Sequence, residues 1–138
     1  MVERATRCEL NAVRRRHGLR RLKGNRLLAN AARAHSGDMV NRKYFAHDEP
    51  AGPGLEQRIR HSGYLSRAGG WKLGETLAWG SGGLASVHEI VQAWMHSPPH
   101  RRVILSSYRE VGIGVALGAP RAVDSPSATY TADFAAKP

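Results

Sequence analysis

The sequence predicts an α+β fold in a single domain spanning residues 1–138, and three observations predict it. Apolar residues recur with a period of 3.6 through most of the first hundred positions, and after Ser107 the period changes to 2. Helical segments come first and strand segments last, which is the order of an α+β chain and not of an alternating α/β one. A chain of 138 residues, 41% hydrophobic and 23% charged, has the size and composition of one globular unit with its own core. No repeat, linker or second domain interrupts it.

The elements follow in order. Residues 5–17 read as a helix with Ala5, Cys8, Ala12 and Val13 on one side, ended by Gly18. "NRLLANAARAHSGDMVNR" (25–42) is a stronger helix: Leu27, Leu28, Ala31, Ala32, His35, Met39 and Val40 recur at helical spacing, with Asn25 as cap. Gly37 weakens its interior slightly and suggests close packing there. "YFAHDEPAGPG" (44–54) is rich in turn formers and irregular, and a short helix at 55–62 ends at Gly63. "WKLGETLAWG" (71–80) mixes glycine with aromatics and reads as a loop running into a short strand or turn.

"SVHEIVQAWMHS" (86–97) is the clearest helix, with Ser86 and Glu89 as a capping box and Val87, Ile90, Val91, Trp94 and Met95 as one apolar stripe. Pro98 and Pro99 then stop it, because a proline pair removes two amide donors and disfavours helix in the residue before each ring. His96 and His100 are four apart but the prolines between them prevent a helical i, i+4 metal pair. Beyond Ser107, "EVGIGVAL" alternates Val111, Ile113 and Val115 with Gly112 and Gly114, while "TYTADFA" alternates Tyr130, Ala132 and Phe134. Residues 109–117 and 129–134 are expected to pair antiparallel through the loop at 118–128. The glycine face of the first strand would let a helix approach closely.

Composition excludes several classes. The longest apolar runs are only a few residues, so no transmembrane helix is expected. "MVERATRCEL" has no apolar signal region, so the protein is either cytoplasmic or starts after a removed leader. Cys8 is the only cysteine, which rules out an intrachain disulfide and a cysteine-rich zinc site, and it is expected to be buried and inert. The net charge of +10 is uneven: residues 1–43 hold twelve Lys/Arg against three Asp/Glu. "RRRHGLRRLKGNR" (14–26) is the densest part, either a solvated face or a patch for anionic lipid or an acidic cell-wall polymer. Nucleic acid ranks last as a partner, since no aromatics interleave with the charges and no docking motif is present.

Four polar groups stand among apolar or tight-turn neighbours: His47, Glu75, His100 and Glu110. Glu75 lies inside "LGETLAWG", where its neighbours suggest burial, and buried carboxylates are rare unless paired. Two histidines and a carboxylate suit a divalent metal with open positions, or an acid–base pair, or a hydrogen-bond brace without metal. HExxH, GxSxG, the P-loop and GxGxxG are all absent.

"YFAH" (44–47), "GETLAWG" (74–80), "AWMHSPPHRRVIL" (93–105), "YREVGIGVAL" (108–117) and "TYTADF" (129–134), in that order, closely resemble the bacterial branch of the CAP superfamily. That superfamily comprises the cysteine-rich secretory proteins, antigen 5 and pathogenesis-related 1 proteins, also called SCP. The resemblance covers nearly the whole chain and implies an α–β–α sandwich, helices flanking a small, mostly antiparallel sheet. It also implies a cleft where His47 matches the first histidine, Glu75 the glutamate of the "GEN" motif and His100 the second histidine. The second glutamate of eukaryotic members falls at Ser97, which reduces the tetrad to three, as is common in bacterial members. Thr76 and Val103 replace two usual asparagines, removing amide hydrogen bonds near the cleft. On this reading the proline pair turns His100 into the cleft and leaves His96 outside.

The resemblance implies a secreted or cell-envelope protein and leaves two functions open. One is a binding or interaction module, its cleft able to take Zn²⁺ or another divalent cation through His47 and His100, with lipid or a cell-surface polymer as partner. The other is a metal-dependent hydrolase, protease-like, with His47 and His100 holding zinc and Glu75 as general base. The missing second acid favours binding.

Overall fold

Helix α1 (Val2–Arg16) takes its orientation from Leu10, its largest buried apolar residue. Leu10, Val13, Thr6 and Arg14 face inward, while Ala5 and Cys8 are exposed and Ala12 is half-buried. The stripe expected through Ala5, Cys8 and Ala12 is therefore rotated about the helix axis, with only Val13 where it was expected. Alanine and cysteine side chains remove too little area from water to compete with a leucine. Cys8 is a free, exposed thiol and not a buried one.

The computed structural model describes residues 1–65 and 70–137. After α1 comes a two-residue strand, β1 (Lys23–Gly24), and then α2 (Arg26–Arg42). Asn25 caps α2 as expected, its side-chain oxygen accepting from the amides of Leu27 and Leu28 at 2.9 and 3.0 Å. Leu28, Ala31, Ala32, His35, Ser36 and Met39 form the buried side of α2, which ends at Lys43 in the left-handed region. The short helix α3 (Leu55–His61) follows the irregular segment.

Two expectations change in the middle of the chain. "WKLGETLAWG" is not a loop running into a short strand or turn but, from Lys72 on, most of β2 (Lys72–Ser81), a ten-residue strand paired along its whole length with the last strand. Its glycines hid the alternation, and packing explains them. A Cβ at Gly74 would run into the Tyr108 hydroxyl, and one at Gly80 into the backbone of Leu84 and Ala85. After α4 (Val87–Met95), capped by the Ser86 hydroxyl on the Glu89 amide, the prolines do more than end a helix. They begin another, α5 (Pro98–Ile104), because the first helical positions need no amide donor and proline's φ already suits them.

Strands β3 (Glu110–Leu117) and β4 (Ser127–Ala136) pair antiparallel, with Leu117 opposite Ala128. The four-stranded sheet runs β1-β3-β4-β2, with β1 parallel to β3 and the other pairs antiparallel. One face carries α1, α4 and α5, and the main core there joins Leu10, Trp94, Ile104, Tyr130 and Phe134. The indole of Trp94 satisfies its donor on the Leu77 carbonyl at 2.9 Å. The other face carries α2, whose backbone lies directly on Gly112 and Gly114; a Cβ at either would strike the α2 main chain. Gly37 has no such role, since a Cβ there would meet nothing within 4 Å. This is the α–β–α sandwich expected, with β2 as an edge strand between the two helical layers.

Candidate functional site

The β2 edge gathers the site. Glu75 sits in mid-strand with its side chain on the α2 and α3 side, only 1% exposed. Arg58 of α3 meets it with two nitrogens, Nη1 to Oε2 and Nη2 to Oε1, both at 3.0 Å. This forked pair satisfies both carboxylate oxygens at once. His47 comes from the irregular segment, and its Nδ1 lies 2.8 Å from Glu75 Oε1. The histidine's backbone is held as well: Arg58 Nη2 donates to the His47 carbonyl at 2.6 Å, and His35 Nε2 bonds the neighbouring Ala46 carbonyl at 2.8 Å. A segment rich in turn formers is thus fastened to α2 and α3 by two buried side chains.

His100 approaches from the opposite helical layer. It occupies the first turn of α5, and its Nδ1 lies 2.8 Å from the hydroxyl of Ser97, the residue that caps α5. Both imidazoles are therefore held through Nδ1, and neither Nε2 has a hydrogen-bond partner among the described residues. His96 stays exposed at the end of α4, bonded to the Gln92 carbonyl. Glu110 is engaged elsewhere: Asn25 and Tyr64 donate to its two oxygens at 2.9 and 2.6 Å, which ties β3 to the start of α2.

The electrostatics follow from this wiring. Burial alone would raise the Glu75 pKa, but hydrogen bonds with Asp133, His47 and Arg58 outweigh it and bring it to about 2. The bond to Glu75 raises the His47 pKa against the opposing effect of its partial burial. Burial, and after it the charge on His47, lower that of His100. The two imidazoles are thus shifted in opposite directions, His47 toward its protonated form and His100 away from it.

Asp133 and Arg58 were not recognised in the sequence. Asp133 lies directly across from Glu75 in the β2–β4 ladder, is fully buried, and among the described residues receives no donor on either oxygen. Two adjacent carboxylates in a dry site cannot both be ionised. Asp133 has no ion-paired cation among the described residues, so of the two it is the one held toward the protonated form, which can donate to Glu75. Burial first, and then the Glu75 charge, push its pKa well above the usual carboxylate range. The Thr76 hydroxyl is also buried without a partner among the described residues, and Val103 packs half-buried against the main core.

Arg14 departs from the exposed basic patch to which its sequence neighbours belong. It is 1% exposed and donates to four carbonyls: Arg20 at 2.9 Å, Ile104 and Ser106 at 2.7 Å, and Tyr108 at 3.3 Å. Arg15 and Arg16 are exposed. Among the described residues, no three His, Cys, Asp or Glu side chains are grouped to hold a metal ion, and no helix is long and apolar enough to cross a membrane.

Fold and site together define a three-layer domain that sets the His47 imidazole on a buried arginine–carboxylate pair at a sheet edge, with His100 on the neighbouring helix near enough to feel the His47 charge. The chain belongs to the CAP, or cysteine-rich secretory protein, family, whose model matches residues 9–133. Two Bacillus subtilis proteins, the uncharacterized protein YkwD and the uncharacterized membrane protein YlbC, are each 32% identical to it, over 105 and 106 residues. Those matches cover 75% and 76% of this chain but only 38% and 29% of the relatives, so the chain spans well under half of either. The crystal structure of an extracellular SCP-domain protein from Bacillus anthracis superposes with a TM-score of 0.78 at 26% identity, covering 98% of this chain and 40% of that one. An outer surface protein of Borrelia burgdorferi shares the fold, with a TM-score of 0.74 at 18% identity over 98% of this chain and 92% of its own.

Proposed function

We propose that this domain is an extracytoplasmic binding module whose β2-edge cleft takes a divalent cation through His47 and His100, and whose arginine-rich side meets an anionic cell-surface partner, lipid or wall polymer. The extracellular and surface proteins that share its fold support the location. The observation that carries binding over hydrolysis is the engagement of Glu75. Both its oxygens are occupied by Arg58 and His47, and a carboxylate with a pKa near 2 is a weak base. A zinc hydrolase of the alternative kind would need that carboxylate free beside a metal-bound water.

The donor set agrees with the same conclusion. Two imidazole Nε2 atoms suit Zn²⁺, but a catalytic zinc normally has three protein ligands. Glu75 and Ser97 orient the ligands from behind, fixing each ring through Nδ1. The cation would supply a positive centre open to further ligands.

Calorimetric zinc titration near pH 7.5 tests this reading. The wild type should bind zinc, and the His47→Ala/His100→Ala variant should lose binding while its circular dichroism stays native. Zinc uptake that survives the double substitution would move the metal elsewhere. Absence of uptake by the wild type would leave the two histidines as a hydrogen-bonded brace and end both the cation and the zinc-hydrolase readings.

A further inference from the structure

We propose a second site, remote in chemistry from the histidine cleft: the groove formed by Arg20, Arg21, Lys23, Arg109 and Lys137 binds a linear polyanion of phosphate groups that carries no bases. The inference rests on reading the domain as a surface binding module, but not on metal binding at His47 and His100.

The groove gathers residues from three distant parts of the chain, and main-chain bonds explain their meeting. The Lys23 amide donates to the Arg109 carbonyl at 2.9 Å, and the Arg109 amide donates to the Ala135 carbonyl at 3.0 Å. The ends of β1, β3 and β4 therefore lie side by side, with Lys137 just beyond. Arg20 and Arg21 sit in the loop before β1. Buried Arg14 fastens that loop to the segment before β3, bonding the carbonyls of Arg20, Ser106 and Tyr108 together. The resulting groove has a volume of about 600 Å³, a size suited to a ligand site.

Its charge is only partly offset from within, by one carboxylate against five cations. All five cations are exposed. Among the described residues the one carboxylate lining the groove is Glu110, and its two oxygens accept from the neutral donors Asn25 and Tyr64. Among the described residues none of the five forms a salt bridge; Lys137 only lies over the Tyr64 ring, 4.3 Å from its centre. Like charges crowded into a concavity focus the field and raise the local concentration of an anion. Three are arginines, whose planar fork suits phosphate oxygens.

Other polyanions fit less well. The exposed large apolar residues Met1, Val2, Phe45, Leu84 and Leu117 lie outside the groove, so nothing here would enter a bilayer. Among the described residues no aromatic side chain lines it on which bases could stack. A flexible chain of repeating phosphates needs neither.

Fluorescence-anisotropy titration with labelled inorganic polyphosphate of defined length, at low and at physiological salt, tests the proposal. The wild type should bind with an affinity that falls as salt rises. The Arg20→Gln/Arg109→Gln/Lys137→Gln variant should bind roughly tenfold or more weakly, since charged-contact losses compound in polyanion binding. Arg60→Gln/Arg102→Gln/Arg121→Gln removes equal charge outside the groove and should stay within about twofold. Lys137→Glu alone, with circular dichroism, separates a local effect from misfolding. Zinc uptake by the groove variant should be unchanged, which keeps this site distinct from the cleft. No binding by the wild type, equal losses in both triple variants, or tighter binding to phosphatidylglycerol vesicles or single-stranded DNA than to polyphosphate would each overturn the proposal.

Discussion

The carboxyl groups of Glu75 and Asp133 face each other across neighbouring strands, and only Glu75 is matched to a cation. Arg58 and His47 hold Glu75 ionised, so Asp133, fully buried, serves as its proton-bearing partner. The two titrate in opposite senses. The folded pKa of Glu75 lies below its unfolded value, so its stabilising effect is complete above the unfolded pKa and is lost as pH falls toward about 2. The folded pKa of Asp133 lies above its unfolded value, so its effect is complete below the unfolded pKa and is lost as pH rises through the folded one.

Asp133→Asn should therefore be tolerated. An amide there can donate to Glu75 but carries no titrating proton. Stability at pH 7 should match or exceed wild type, and the decline on raising the pH should flatten. Urea unfolding between pH 4 and 9 measures both. A variant less stable at pH 7 by more than about 1 kcal/mol, the scale of an ordinary hydrogen bond, would mean that Asp133 acts as a carboxylate.

Glu75→Gln should behave very differently, since it leaves Arg58 buried without its counter-charge. Removing one partner of a buried pair costs about 3–5 kcal/mol. Adding Arg58→Met should restore part of that stability. If the double variant is no better than the single one, the damage lies in the His47 contact and not in the stranded guanidinium. Chemical denaturation of the three proteins decides.

Two glycines contrast. Gly114→Ala drives a methyl group into the α2 backbone at Ala32 and Arg33 and should cost about 1–3 kcal/mol through overpacking. Gly37→Ala, inside α2 with free space around the added carbon, should instead gain roughly 0.5–1 kcal/mol. Thermal unfolding of both variants reads the difference, and equal effects would contradict the close helix–strand approach.

Adjacent arginines should diverge in the same way. Arg14→Met strips a charged donor from four carbonyls and should cost roughly 3 kcal/mol or more. Arg15→Gln, on the exposed side, should change stability by no more than about 0.5 kcal/mol. A small effect of Arg14→Met in urea unfolding would show that water reaches those carbonyls.

Local rules read from residue order settled much of this protein. The 3.6 period placed α2 and α4, Asn25 and Ser86 marked their starts, and the shift to period 2 placed β3 and β4. The ordered motifs around His47, Glu75 and His100 pointed to the family, and the family to the sandwich. What residue order did not reveal depends on contacts between segments far apart. Glycines in β2 erased its alternation, and one of them, Gly74, answers to Tyr108 across the fold, while Gly80 makes room for the turn at Leu84 just after the strand. Asp133 lies on the polar side of an alternating strand, which reads as solvent-facing until α2 covers that side of the sheet. Arg58 looks like any surface arginine of a short helix, and Arg14 like one of a basic run. A charged side chain declares its burial only through its partners, and for both arginines those partners come from other elements of the fold, up to 94 residues away along the chain.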